Sequence, residues 1–183
     1  MEERSVVAGP VGLMAFHGGL ELGTSEIAAA AAATSGASLY VVDQPPDLRW
    51  HVPSHAVDPA RSAVLDRWLR HVQVAVALHG YGRVDRPRRI LLGGRNRDLA
   101  EALARSLRSR LPHLAAVTDM ADIPVELRGL HRRNPVNRPA RGGVQVELPP
   151  SARDGRLDPG APGQVADALA EVARSYLEAT TLP

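Results

Sequence analysis

Two histidines in this sequence each end an apolar run and precede a glycine. His17 follows residues 11–16, and His79 follows residues 72–78. Glu21 comes four residues after His17. A catalytic zinc takes three protein ligands from imidazole and carboxylate groups and keeps one position for water. The pattern is compatible with a zinc site of His17, Glu21 and His79, although structural histidines and a solvated turn glutamate would give the same residues.

The elements that must position these residues alternate between strand and helix, which predicts an α/β fold with a largely parallel central sheet flanked by helices. Predicted strands cover residues 5–16 (interrupted by Gly9-Pro10), 39–42, 72–78, 89–92 and 144–148. Predicted helices cover residues 24–34, with Thr24 or Ser25 as N-cap and Gly36 as terminator, then 60–70, 96–111 and 165–177. In open α/β sheets ligands gather outside the carboxyl ends of strands, where both histidines would lie.

Glu147 is a candidate general base. It lies near the end of the predicted strand 144–148, where Gln145 and Glu147 share the face opposite three aliphatic residues. A carboxylate there could take a proton from a zinc-bound water and pass it to a leaving amine. An ordinary polar residue on a half-exposed strand is the alternative.

Polar loops supply candidates for substrate binding. The run from Asn134 to Arg141 is basic, and arginine binds carboxylates through two parallel hydrogen bonds, so the loop suits an acidic substrate. Candidate contacts are Asn137, Arg138, Arg141, Arg83 and, from the proline-rich loop 43–60, His51. A solvated loop in an arginine-rich protein is the plainer interpretation of the basic run.

Composition narrows the class of protein. The 183 residues predict one domain, residues 1–183, that can bury its own core. All 22 basic residues are arginine and face 20 acidic ones; with aromatics at 3%, this disfavours a nucleic-acid-binding role. No apolar window is long enough to span a membrane, and the acidic N-terminus does not resemble a signal peptide. We therefore expect a cytoplasmic protein, monomeric and without nucleic-acid or membrane partners.

Five segments, taken in order, resemble the poly-gamma-glutamate hydrolase family of phage and bacterial proteins. They read HGGLELGTSEIA, LRWHVPSHAVDPA, VALHGYG, ILLGGRNRDLA and NRPARGGVQVEL, and the resemblance covers residues 11–150. It implies a zinc carboxypeptidase-like fold with a mixed central sheet between helical layers. It also implies zinc held at His17, Glu21 and His79, a general base at Glu147, and Asn137-Arg138 holding a substrate carboxylate.

The family loop usually has one more residue between its histidine and glutamate. Here either the loop is tighter or Glu21 approaches differently, with Glu26 as a substitute. We expect a zinc-dependent amide hydrolase for poly-gamma-glutamate or a similar acidic peptide. A carboxypeptidase or N-acyl amino acid hydrolase with the same zinc site, and an inactive module that binds acidic ligands, remain alternatives.

Overall fold

The computed structural model describes residues 1–45 and 47–181, and these form a seven-stranded sheet with helices on both faces. The strands are β1 (Glu2–Val6), β2 (Val11–Gly18), β3 (Ser38–Asp43), β4 (Val74–Gly80), β5 (Arg89–Leu92), β6 (Ala115–Val117) and β7 (Gly143–Leu148). The helices are α1 (Thr24–Ser35), α2 (Ala63–His71), α3 (Arg97–Arg110), α4 (Pro150–Arg153) and α5 (Ala161–Thr181). Residue 46, within the predicted loop 43–60, and residues 182–183 of the predicted domain lie outside this description.

The sheet is mixed. Its order is β1-β3-β2-β4-β7-β5-β6, and the four central strands β3, β2, β4 and β7 are parallel. β1 runs antiparallel to β3, and β5 runs antiparallel to β7. The carboxyl ends of β2, β4 and β7 therefore meet at one edge of the sheet. The predicted α/β class with a mixed central sheet is confirmed.

Helices cover the two faces of the sheet unequally. Leu13 and Ala15 of β2 pack into a large aliphatic cluster with residues of α1, α3 and α5. Met14 and Phe16 alternate to the other face, where they pack with Trp68 of α2. Because every residue of β2 is buried, the strand is apolar from Val11 to Phe16 instead of alternating with polar residues.

Local sequence fixes the helix ends. Gly23 and Gly36 take left-handed backbone conformations on either side of α1, at φ 88° and 73°. Gly23, not the predicted Thr24 or Ser25, occupies the N-cap position, and the Thr24 hydroxyl donates to the carbonyl of Glu21 instead. At α3, Asn96 Oδ1 accepts from the backbone N–H of Leu99 at 3.0 Å, as expected for an N-cap.

The structure differs from the predicted elements in three places. The strand predicted at residues 5–16 is two strands, because the chain turns at Gly9-Pro10 and β1 pairs antiparallel with β3. β6 was not predicted, since its three residues are too few to show a period. α5 extends several residues beyond 165–177 at both ends. Among the described residues, none of the helices has the length and apolar character needed to cross a bilayer.

Candidate active site

β2 carries one extra residue just before its end. Residues 15–18 of β2 pair with residues 41–43 of β3, so three steps on one strand oppose two on the other. An extra residue reverses the alternation of side chains that follow it. His17 therefore leaves the face that it would share with Ala15, and its ring centroid lies 5.3 Å from that of His79.

A tight turn brings Glu21 to the same edge. The backbone N–H of Glu21 donates to the carbonyl of His17 at 2.8 Å. Gly19, at φ +80°, makes the turn, and a Cβ there would lie 2.3 Å from the carbonyl oxygen of Gln44. Glu21 Oε2 then accepts a hydrogen bond from the N–H of Gly80 at 2.9 Å. The four-residue spacing thus forms a tight turn, and Glu26 is not part of the three-residue group.

His17, Glu21 and His79 are all buried and present ligand atoms within 4.8 Å of one another. His17 Nδ1 lies 3.0 Å from Glu21 Oε1, and His79 Nδ1 lies 3.5 Å from Glu21 Oε2. Tetrahedral ligands at zinc distances are separated by about 3.3 Å. The three side chains therefore fit a small cation with tetrahedral preference.

The outer nitrogens of the two histidines support this fit. His17 Nε2 lies 2.8 Å from the carbonyl oxygen of Val52, which can only accept, so Nε2 carries the proton. The buried Nδ1 of His17 faces the Glu21 carboxylate and forms no hydrogen bond with the described residues. A metal ion between these atoms would occupy both. His79 Nε2 is held similarly, 3.3 Å from Ser54 Oγ.

Glu147 lies directly beside His79. The two are paired in the register of β4 and β7, and both side chains are buried. Burial raises the pKa of Glu147 above its ordinary value, and the charge of His79 offsets this only in part. Burial also opposes ionisation of Glu21, but its contacts with His17 and His79 outweigh that and hold the pKa of Glu21 below its ordinary value. The site therefore contains one carboxylate kept ionised beside one that binds a proton more readily.

Two amides behind Glu147 were not predicted as functional. Gln145 Nε2 donates to Glu147 Oε1 at 2.8 Å, and Asn134 Nδ2 donates to Gln145 Oε1 at 2.7 Å. All three side chains are buried. The shared strand face of Gln145 and Glu147 is visible in the sequence, but the contact with Asn134 spans a loop and leaves no local pattern. The chain of amides fixes the position of the Glu147 carboxylate.

These residues open onto a cleft of about 490 Å³. Its walls include Glu21, His79, Gln145 and Glu147 at the bottom. The sides come from two loops, through Pro53, Ser54, His55, Val125, Glu126, Leu127, Gly129, Leu130 and His131. The predicted contact His51 also lines the cleft, with Nε2 3.8 Å from Glu21 Oε1.

The other predicted substrate contacts are placed differently. Arg83 pairs with Glu126, a residue of the cleft wall. Asn137 is tied into its own loop, with Nδ2 donating to the carbonyl of Gly129 at 2.7 Å. In the described chain neither Arg83 nor Asn137 lines the cleft itself.

Arg138 and Arg141 also lie away from the cleft floor. Arg138 lines a separate groove next to the cleft. The guanidinium of Arg141 lies 4.9 Å from the ring centroid of Tyr176, on α5. The structure therefore does not bring Arg141 to His17, Glu21 and His79, because its side chain turns toward α5.

Arg153 contacts two segments of the site, the loop after β2 and the end of β7, and gave no signal in the sequence. Its Nη1 donates to the carbonyl of Leu22, next to Glu21, at 2.7 Å, and its Nε donates to the carbonyl of Leu148 at 3.3 Å. Burial lowers its pKa, and the charge of Glu21 raises it in part. Arg153 thus connects the loop carrying Glu21 to the end of β7.

Comparison with known proteins decides the family. The family model described as poly-gamma-glutamate hydrolase matches residues 1–173. The chain belongs to the poly-gamma-glutamate hydrolase family. Among curated proteins, none matches the chain. The resemblance drawn from the five sequence segments is confirmed.

Solved structures agree with this family and fold. A bacteriophage poly-gamma-glutamate hydrolase is 25% identical, with a TM-score of 0.76 over 97% of this chain and 90% of that one. A protein described as YNDL in a zinc-free state is 24% identical, with a TM-score of 0.72 over 98% and 91% of the two chains. The N-acetylmuramoyl-L-alanine amidase AmiC2 of Nostoc punctiforme, 15% identical, has the same fold, with a TM-score of 0.52 over 91% and 97%. The family and two of these neighbours, the poly-gamma-glutamate hydrolase and the amidase, are named as hydrolases, and the shared fold is zinc carboxypeptidase-like.

Proposed function

We propose that this protein is a zinc-dependent hydrolase of γ-glutamyl amide bonds in poly-gamma-glutamate or a closely similar acidic peptide. The observation that carries the proposal is the buried group of His17, Glu21 and His79 with Glu147 beside it. Membership of the poly-gamma-glutamate hydrolase family supports the substrate.

His17, Glu21 and His79 would hold the zinc, each through an atom already directed at the others. When bound, zinc would supply Lewis-acid chemistry, polarising a carbonyl and making water acidic near neutral pH. The hydrogen bonds to Val52 and Ser54 orient the two imidazoles for this role.

Glu147 would move the proton. Its carboxylate, held at Oε1 by Gln145, accepts the proton of the attacking water and returns it to the leaving amine. A raised pKa suits both halves of this task, because a group that binds a proton more readily is a better base while ionised and stays acidic enough to release it. The buried position limits contact between this carboxylate and bulk water.

The cleft walls would contact the substrate. His51 lies beside Glu21 and can donate to the carbonyl oxygen of the bond being cleaved. Arg83 stays a predicted contact for a substrate carboxylate. Its guanidinium would bind that carboxylate in place of Glu126. Asn137 would act indirectly, by shaping the loop through its bond to Gly129.

Metal analysis and digestion of the polymer test the proposal together. Purified protein should contain about one zinc per chain, and it should shorten poly-gamma-glutamate in size-exclusion chromatography. A chelator should stop the reaction, and added zinc should restore it. Protein that binds no zinc, or an activity that survives zinc removal, would contradict the mechanism. Cleavage of α-linked peptides or N-acyl amino acids in place of the polymer would agree with the proposed zinc site but contradict the proposed substrate.

A further inference from the structure

A second concavity adjoins the cleft, and we define it as the arginine groove. It has a volume of about 360 Å³ and is lined by residues 55–59, Arg61, Arg133 and Arg138. His55 lines both the groove and the cleft, so the two form one continuous surface. The groove contains none of the groups proposed for zinc binding or proton transfer.

The charge of the groove is strongly unbalanced. Its three guanidinium groups, on Arg61, Arg133 and Arg138, form no ion pair with a carboxylate in the described chain. One acidic residue, Asp58, lines the groove with them, and its Oδ1 already accepts from the N–H of Ala60. A concave surface with excess positive charge raises the local concentration of anions.

The junction with the cleft is also positive. The rings of His55 and His131 lie 5.0 Å apart. The backbone N–H of Arg133 donates to His131 Nδ1 at 3.1 Å. Desolvation lowers the pKa of His131, and so do nearby positive charges, among them those of Arg133 and Arg132. Arginine charges thus surround the junction through which an anionic chain would pass from the cleft into the groove.

We propose that the arginine groove binds carboxylates of the polymer segment next to the bond being cleaved, so that the protein selects long polyanionic chains over short ones. This inference rests on the proposed function. A γ-linked glutamate polymer carries one free carboxylate on every residue, and each guanidinium can bind one through two parallel hydrogen bonds. The groove lacks Phe, Tyr and Trp among its described lining residues, so it offers no stacking surface for the bases of a single-stranded nucleic acid.

Kinetics with two substrate lengths test the proposal. In the double variant Arg61→Gln/Arg133→Gln, we expect KM for the polymer to rise about fivefold, while KM for γ-glutamylglutamate changes less than twofold and kcat stays constant. The matched control is Arg88→Gln/Arg105→Gln, which removes the same charge from exposed positions outside the cleft and groove. Equal effects on both substrates, an unchanged KM for the polymer, or the same rise in the control would each overturn the proposal.

Binding measurements separate this proposal from the proposed function. The variant Glu147→Gln should bind intact poly-gamma-glutamate in calorimetric titration, and addition of Arg61→Gln/Arg133→Gln should weaken that binding about fivefold. This result would support the groove even if no hydrolysis is found. Tighter binding of a single-stranded oligonucleotide than of the polymer, at equal salt, would overturn it.

Discussion

The two sides of the cleft are built in different ways. On the strand side, His17, His79 and Glu147 project from parallel strands and are buried. On the loop side, His55, Glu126 and His131 come from turns and are exposed. The strand side has positions fixed by the sheet register, as chemistry requires. The loop side can change its residues without disturbing the sheet, which suits recognition of the substrate.

Glu147→Gln should give the largest loss of activity, and it tests the strand side of the cleft. The amide keeps the shape of the carboxylate and can still bond Gln145, but it cannot accept a proton. We expect kcat to fall about a hundredfold to ten-thousandfold, with zinc content unchanged. Activity measurements on metal-quantified protein check this. A variant with near-normal kcat would show that the proton is carried by another group.

Gly19→Ala should have the next largest effect, because it changes the turn that positions Glu21. Position 19 has φ +80°, and the new Cβ would lie 2.3 Å from the carbonyl oxygen of Gln44. We expect a loss of about 1–3 kcal/mol in the free energy of unfolding and weaker zinc binding. Gly163→Ala is the control, since a Cβ there has no neighbour within 4 Å. Equal stability of the two variants in denaturant titration would contradict the role of the turn.

Asn134→Ala tests the contact between the two sides. The change removes the donor to Gln145 Oε1 and leaves a buried acceptor without its partner, at a cost of about 1–3 kcal/mol. We expect kcat to fall about tenfold as the Glu147 carboxylate loses its support. Asn134→Asp keeps the acceptor for the N–H of Val136 but not the donor. If the aspartate variant behaves like the wild type, the donor has no role.

Arg83→Gln should give the smallest effect. Its guanidinium pairs with the exposed Glu126 on the cleft wall, and exposed pairs contribute little to stability. We expect the midpoint of thermal unfolding to stay within about 2 °C, and KM for the polymer to rise by less than about threefold. A rise in KM as large as that expected for the groove variant would show that Arg83 is one of the main substrate contacts.

Much of the fold and the strand side could be predicted from the sequence because their signals are local. Apolar runs ending in His17 and His79 mark buried parallel strands, and Gly36 and Asn96 mark helix ends. The bulge before His17 could not be predicted, since a register slip depends on the neighbouring strand. The three-residue β6 was too short to detect.

The loop side was harder to predict for a physical reason. Arg138, Arg141 and Asn137 lie within five residues of one another, yet their side chains go to the groove, to Tyr176 and to Gly129 respectively. In a loop without a period, neighbours in sequence do not share a face. The positive charge of the loop therefore indicated an acidic ligand, but it could not indicate which arginine would bind that ligand. Asn134 lies in the predicted basic run, but its contact with Gln145 left no local pattern, and Arg153 gave no signal.

The outer nitrogens of the two imidazoles both reach a span of only three residues, from Val52 to Ser54. A metal ion bound at the proposed site would withdraw electron density from each ring and make the remote N–H a stronger donor, so metal binding would also stabilise the span from Val52 to Ser54. Replacing this loop to redesign specificity would consequently retune metal affinity as well. A graft that keeps a carbonyl and a hydroxyl acceptor at these two places is the one expected to leave the affinity intact.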